Sequence, residues 1–216
     1  MKIKIVYETG YAINKKVHVV VNSANGFLLL GTSGAGAIRE KSQRLTQKEK
    51  AEYSRILSKL PARIRNDYVR VFKDQSWVPT YAQLGCLKLL LVKKGNEFKR
   101  GDAVLQESWS RKDDRKIVHA VSMSYKLGLH SSRRVPGTEA NIRKAVERSL
   151  KIADSLGAQS VAMPVMAARP SYGMTPARSF RAISDTIKKY DSKNIQKVVV
   201  CFDNKITKGY LRKLKA

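Results

Sequence analysis

The sequence predicts an α/β fold, a three-layer sandwich in which a mostly parallel sheet lies between helical layers. Three observations predict it. Continuously apolar runs at 18–21, 160–165 and 198–202 read as strands covered on both faces. A helical stripe follows Thr138, with Ile142, Ala145, Val146, Ser149, Leu150, Ala153 and Leu156 on one face and Gly157 as its stop. Finally, a strand, a glycine-rich loop and a helix start follow one another within Val19–Glu40, VVVNSANGFLLLGTSGAGAIRE.

Taken in order, Lys2–Glu8 alternates as a half-exposed strand and Thr9-Gly10 turns it. The run Val19–Val21 is expected to end as a strand at Asn22. A second glycine-rich turn, Gly31-Thr32-Ser33-Gly34-Ala35-Gly36, is expected to lead into a helix beginning near Ala37, within a helical stretch at 35–44. Thr46-Gln47-Lys48-Glu49 is a capping box, opening a helix to about Leu60 before Pro61. A further helix is expected around 62–73. The apolar run Cys86–Val92 reads as a strand or a helix end, with strand preferred. Strands are then expected at 103–106 and 117–121, separated by a turn at 111–114. Thr175-Pro176 places an N-cap and a first-turn proline ahead of a helix to about Tyr190, and a basic helix at 206–214 closes the chain.

The charge bounds the partners. Lys and Arg number 43 against 17 Asp and Glu, a net +26, and the pI is near 10.3. Such a field attracts polyanions, so nucleic acid or a ribonucleoprotein is the expected partner of the basic surface. A solvated, heat-adapted surface is the alternative, but adaptation of that kind enriches Glu as well as Lys. Paired cations at 93–94, 99–100, 111–112 and 133–134, and those of 205–215, are spread along the chain, some of them near Trp109, Tyr125 or Tyr210, which permits stacking beside phosphate contacts. No apolar run approaches the roughly 20 residues of a membrane span, and Met1-Lys2-Ile3-Lys4 leads into a strand rather than a signal-peptide core. A cytoplasmic protein without a membrane partner is expected. Cys86 and Cys201 stand far apart, outside any zinc or disulfide spacing, and are expected as free thiols. No metal or cofactor is expected.

In open α/β sheets a ligand lies beyond the carboxyl ends of the strands. The loops after Val21, Val165 and Phe202 should therefore converge. Small residues and a helix N-terminus at Gly31, Thr32, Ser33, Gly34 and Ala35 favour a phosphate-bearing ligand, and Asn22 and Asn25 add amides that can bind ribose or lock the loop. Of the histidines His18, His119 and His130, none stands in a nucleophile–base or metal pattern, and His119, inside an apolar strand, reads as structural.

The segment NSANGFLLLGTSGAGAI resembles the N-A-A-N-x-x-L-x-x-G-G-G-V-A-G-A-I signature of the macro domain. GDAV at 101–104, KIVHAVS at 116–122, SVAMPVMAARPSYGM at 160–174 and KVVVCFD at 197–203 follow in the family's order. The resemblance implies a mixed, mostly parallel central sheet and a single domain over 1–216, with 46–100 as an enlarged basic insertion. It implies binding of ADP-ribose, a related nucleotide or an ADP-ribosylated macromolecule. Asn25 would meet the distal ribose while Asn22 holds the loop. The loop of Ala168, Arg169, Ser171, Tyr172 and Gly173 would wrap the diphosphate, with Tyr172 packing near the distal ribose, and Phe202 would stack on adenine. Three departures matter. Arg169 stands where a glycine is usual, able to pair with phosphate or to fill its site. Tyr11 stands where family members commonly carry an adenine-binding Asp. Gly34-Ala35-Gly36 lacks the carboxylate of a hydrolytic branch, so catalytic residues are not assigned, and hydrolysis of ADP-ribose derivatives is the second alternative after RNA binding.

Overall fold

A computed structural model describes residues 2–125, 134–135, 137–168, 173–203 and 205–215. Its strands are β1 (Lys4–Thr9), β2 (Val19–Asn25), β3 (Ala103–Gln106), β4 (Lys116–Tyr125), β5 (Arg134–Val135), β6 (Ser160–Pro164) and β7 (Lys197–Phe202). The helices are α1 (Ser33–Lys41), α2 (Gln47–Lys59), α3 (Ala62–Asp74), α4 (Tyr81–Val92), α5 (Glu139–Ser155), α6 (Pro176–Lys189) and α7 (Lys205–Lys215). The sheet runs β1-β7-β6-β2-β4-β3, with β5 paired to β4. The pairs β1–β7, β6–β7, β2–β6 and β2–β4 are parallel, and β3 and β5 pair antiparallel with β4.

Alternation along the strands divides the core into two layers. Val20, Ala24, Ile117, Val121, Ala162, Val199 and Cys201 face the layer covered by α1 to α4. Val19, Val21, Val118, Val161, Met163, Val198, Val200 and Phe202 face α5, α6 and α7. Both cysteines are free and buried. Among the described residues no helix is long and apolar enough to cross a membrane.

Local chemistry explains most boundaries. Thr46 and Glu49 form a reciprocal capping box at α2, and the Thr138 and Thr175 hydroxyls cap α5 and α6. Past α5, Gly157 takes φ +70°, and its N–H bonds to Asp154 O at 3.0 Å, the left-handed stop that glycine favours. Leu156, expected on the buried stripe, is 40% exposed because the helix has already ended there.

Three expectations are corrected. The run at 86–92 is helical, the second half of α4, whose Ala82, Leu84, Cys86, Leu87 and Leu90 are buried. A helix apolar on nearly all sides shows no 3.6-residue period, so its pattern imitates a strand. Strand β2 does not stop at Asn22 but continues to Asn25, paired with β4 throughout. Helix α1 begins at Ser33, so Ser33-Gly34-Ala35-Gly36 is its first turn rather than a loop ahead of it.

One glycine is dispensable. In α7, a β-carbon at Gly209 would meet nothing within 4 Å. Gly209→Ala should stabilise the protein by about 0.5–1 kcal/mol by restricting the unfolded chain, read as a higher denaturant midpoint at unchanged slope. A lower midpoint would contradict this environment.

Candidate functional site

The turn after β2 is tied down from within. Asn25 Oδ1 accepts from the Phe27 and Leu29 amides at 3.0 and 3.3 Å, and its Nδ2 donates to Leu29 O at 3.1 Å. The Tyr68 hydroxyl donates to Phe27 O. The Gln83 amide donates to Leu28 O at 3.3 Å and accepts from Leu30 N–H at 2.8 Å. Arg39 donates to Leu30 O and Gly31 O, each at 2.7 Å, while Trp77 covers its guanidinium at 3.7 Å. Burial pulls the Arg39 pKa down, partly offset by Glu40. Helices α3 and α4 thus supply Tyr68 and Gln83 as braces of the turn.

The asparagine roles differ from expectation. Asn25 locks the turn, the part expected of Asn22. Asn22 lies within β2, 3% exposed, its amide 3.1 Å from His119 Nδ1.

Beyond the turn, α1 presents its N-terminus. Thr32 is the N-cap but makes no side-chain cap bond, and Gly36 N–H to Thr32 O, at 3.3 Å, is an early backbone bond of the helix. The amides of the preceding first-turn residues have no acceptor inside a helix by its geometry. Small side chains leave this end open: Gly31, Ser33, Gly34 and Ala35 are half-buried and Thr32 is exposed. A β-carbon at Gly34 would lie 3.4 Å from Asp203 Oδ2, so the carboxylate following β7 sits beside this helix start. Sequence reasoning did not single out Asp203. The available signal was its place directly after β7, where the switch-point rule locates ligands.

The loop after β6 meets the same edge of the sheet. Ala167 and Ala168 are buried. Ala167 at φ +49° and Ser33 at φ +56° both hold the left-handed conformation that non-glycine residues avoid. Such strain persists where the surrounding structure enforces it, and it clusters at ligand clamps. Gly173, at φ +88°, ends the loop, while Arg169, Pro170, Ser171 and Tyr172 lie outside the described residues. Tyr11 is half-buried after β1, and Gly10 N–H bonds to Phe202 O at 3.1 Å. Phe202 itself is fully buried, its ring 5.7 Å from that of Phe180. Its predicted stacking role is not available in this arrangement, because alternation turns it with Val198 and Val200 into the second core layer. Trp77 is the aromatic that sequence reasoning missed near Gly31, where a β-carbon would come 4.0 Å from its ring.

His119 is structural in its contacts. Gln106 Nε2 donates to Ala82 O and Ser108 O at 3.0 and 2.9 Å. Its Oε1 is therefore the acceptor for His119 Nε2–H at 2.7 Å, which leaves Nδ1 to accept from Asn22. The ring is neutral and fully buried, its pKa pushed down to about 4 by desolvation. Among the described residues no group of three His, Cys, Asp or Glu side chains could hold a metal ion.

Comparison with known proteins accords with this geometry. The macro domain family model matches residues 87–183. The Oceanobacillus iheyensis macrodomain with ADP superposes at TM-score 0.60 and 18% identity, over 96% of this chain and 87% of that one. The chain has a macro-domain fold. The Trypanosoma brucei macrodomain in complex with ADP-ribose gives TM-score 0.57 at 16% identity, covering 97% of this chain and 68% of that one. The macrodomain of Mycobacterium tuberculosis DarG gives 0.56 at 13%, covering 92% and 97%. No curated protein matches significantly. The family match runs from the second half of α4 into α6. It leaves out the β2–α1 turn, which α3 and α4 brace.

Proposed function

We propose that the chain binds ADP-ribose or a closely related nucleotide, free or attached to a macromolecule, at the carboxyl ends of β2, β6 and β7. The observation that carries this reading is the start of α1. A Ser-Gly-Ala-Gly first turn directly follows the braced turn after β2, without a side-chain cap, and faces the edge where the strained loop at Ala167 also arrives. A diphosphate is the ligand such a helix end favours. The macrodomains of the same fold with ADP and ADP-ribose bound support the assignment.

In this reading the amides of Gly34 and Ala35 donate to the diphosphate, with Gly31, Thr32 and Ser33 forming one wall. The sequence resemblance assigns Ala168, Arg169, Ser171, Tyr172 and Gly173 to the same ligand, with Arg169 as a bidentate cation. Tyr11 borders the base end in place of the usual carboxylate. Segment 46–100 is an insertion within a single domain, and its helices hold the ligand turn rigid. Asp203 is the carboxylate nearest the helix start, the group to replace first in testing for hydrolysis. The buried free thiols suit the cytoplasm.

Isothermal titration with ADP-ribose, ADP and AMP tests the reading. Saturable one-to-one binding, strongest for ADP-ribose and little changed by salt, is expected. Absence of heat at millimolar ADP-ribose would overturn it. A second partner is favoured by the net charge of +26, which no single nucleotide requires.

A further inference from the structure

At the opposite end of the sheet, a cavity of about 770 Å³ opens where β2, β4 and β6 begin. It lies among the β1–β2 connection, the C-terminus of α1, the turn before β4 and the end of α5. β2 separates it from the ADP-ribose cleft by roughly 20 Å, at about 3.3 Å per residue. Its lining holds six cationic side chains against two carboxylates. Of the six, Lys15 is paired with Glu8, Arg115 with Asp113 and Lys116 with Glu107. Lys16, Lys41 and Lys112 make no ion pair among the described residues and are exposed. These three come from three separate segments and surround one concavity.

The cavity is built rather than incidental. The Arg115 guanidinium holds Asp113, Nε to Oδ1 at 2.9 Å, and also donates to Ile13 O and Lys15 O at 3.2 and 2.7 Å. One side chain therefore clamps the loop carrying Lys16 to the loop carrying Lys112, and its hydrogen bonds, with the nearby charge of Lys41, hold the Asp113 carboxyl below its ordinary pKa. On the third side, Ser160 Oγ accepts from His18 N–H at 3.2 Å and lies 2.9 Å from His18 Nδ1. The floor is apolar, with Ile13, Val17, Val19 and Ala158 buried and Leu156 half-exposed at the rim.

We propose that this cleft binds a single-stranded nucleic acid, with phosphates on Lys16, Lys41 and Lys112 and the sugars and bases over the apolar floor. A cavity of this size is within the range that encloses compact ligands, with room for roughly two nucleotides. An acidic peptide would satisfy the cations but offers nothing flat and apolar to the floor. No Phe, Tyr or Trp lines the cleft, so binding is driven by phosphate neutralisation and is nearly indifferent to base sequence. The proposal does not depend on occupancy of the ADP-ribose cleft.

The test is fluorescence anisotropy with a labelled 12-nucleotide oligouridylate across a salt series. It compares the protein with K16E/K41E/K112E and with K50E/K59E/K73E, a triple of equal charge change on α2 and α3. Melting curves establish that each variant is folded. The cleft triple should lose at least about tenfold in affinity and flatten the log–log salt slope by about 2, three phosphate contacts at roughly 0.7 each. The control triple should lose several-fold less, and both should bind ADP-ribose as the parent does. Equal losses from the two triples would mean a diffuse field and would overturn the proposal. Equal competition by polyglutamate and by unlabelled oligouridylate would overturn it too, by showing that any polyanion suffices. A loss of ADP-ribose binding alone would bear on the other cleft and leave this one standing.

Discussion

His119→Ala should lower stability by about 4 kcal/mol and flatten its dependence on acid pH. The ring bridges Asn22 and Gln106 in a fully buried chain. Its removal leaves the Asn22 amide donor without its partner and the Gln106 acceptor with only the Cys86 thiol at 3.5 Å, at about 1–3 kcal/mol each, and opens a cavity. For a chain of this size the melting temperature should fall by about 10 °C. The pH effect has a definite sign. The native pKa is about 4, below the unfolded value near 6.5. Above pH 6.5 neither state takes the proton and the group has no effect on stability. As pH falls from 6.5 to 4, only the unfolded chain is protonated, so the parent loses on the order of 3 kcal/mol, and below pH 4 the loss stops growing. Chemical denaturation from pH 7.5 to 4 should show this fall in the parent and a shallower one in the variant. Parallel profiles would mean that another group controls the acid limb.

Gly36→Val should weaken ADP-ribose binding at least about tenfold, or 1.4 kcal/mol, while costing about 2 kcal/mol of stability. A β-carbon at Gly36 would lie 2.8 Å from Gly31 O. That oxygen is main chain, and Arg39 already holds it at 2.7 Å. It cannot swing aside as a side-chain tip would, so α1 must move away from the turn and carry the Gly34 and Ala35 amides with it. Titration of the folded variant separates the two effects. Parent-like affinity would show that the α1 start is not part of the binding surface.

What could be read from the sequence follows from what is local. The capping box at Thr46 and Glu49, the Thr175-Pro176 start and the Gly157 stop depend on residues within one turn of each other, and each was legible. The covered strands announced themselves by unbroken apolar runs. Helix α4 did not, because its apolar surface has no period. Phe202 was legible in principle: with Val198 and Val200 it shares the period-two face of β7, which is fully buried. Tyr68, Gln83 and Asp203 were not, since they reach residues some 40, 55 and 170 positions away in a chain whose local pattern specifies only their own elements. For the same reason the sequence could not say which of Asn22 and Asn25 would lock the turn.

The most direct test of the ligand cleft is a titration of the 15N-labelled protein with ADP-ribose, followed through backbone amide shifts. The account predicts saturable shifts at Gly31, Ser33, Gly34 and Ala35, with a second set at Ala167, Ala168, Gly173 and Asp203. Lys16 and Lys112 should stay unmoved. Shifts confined to the end of the sheet where β2, β4 and β6 begin, or none at millimolar ligand, would contradict it.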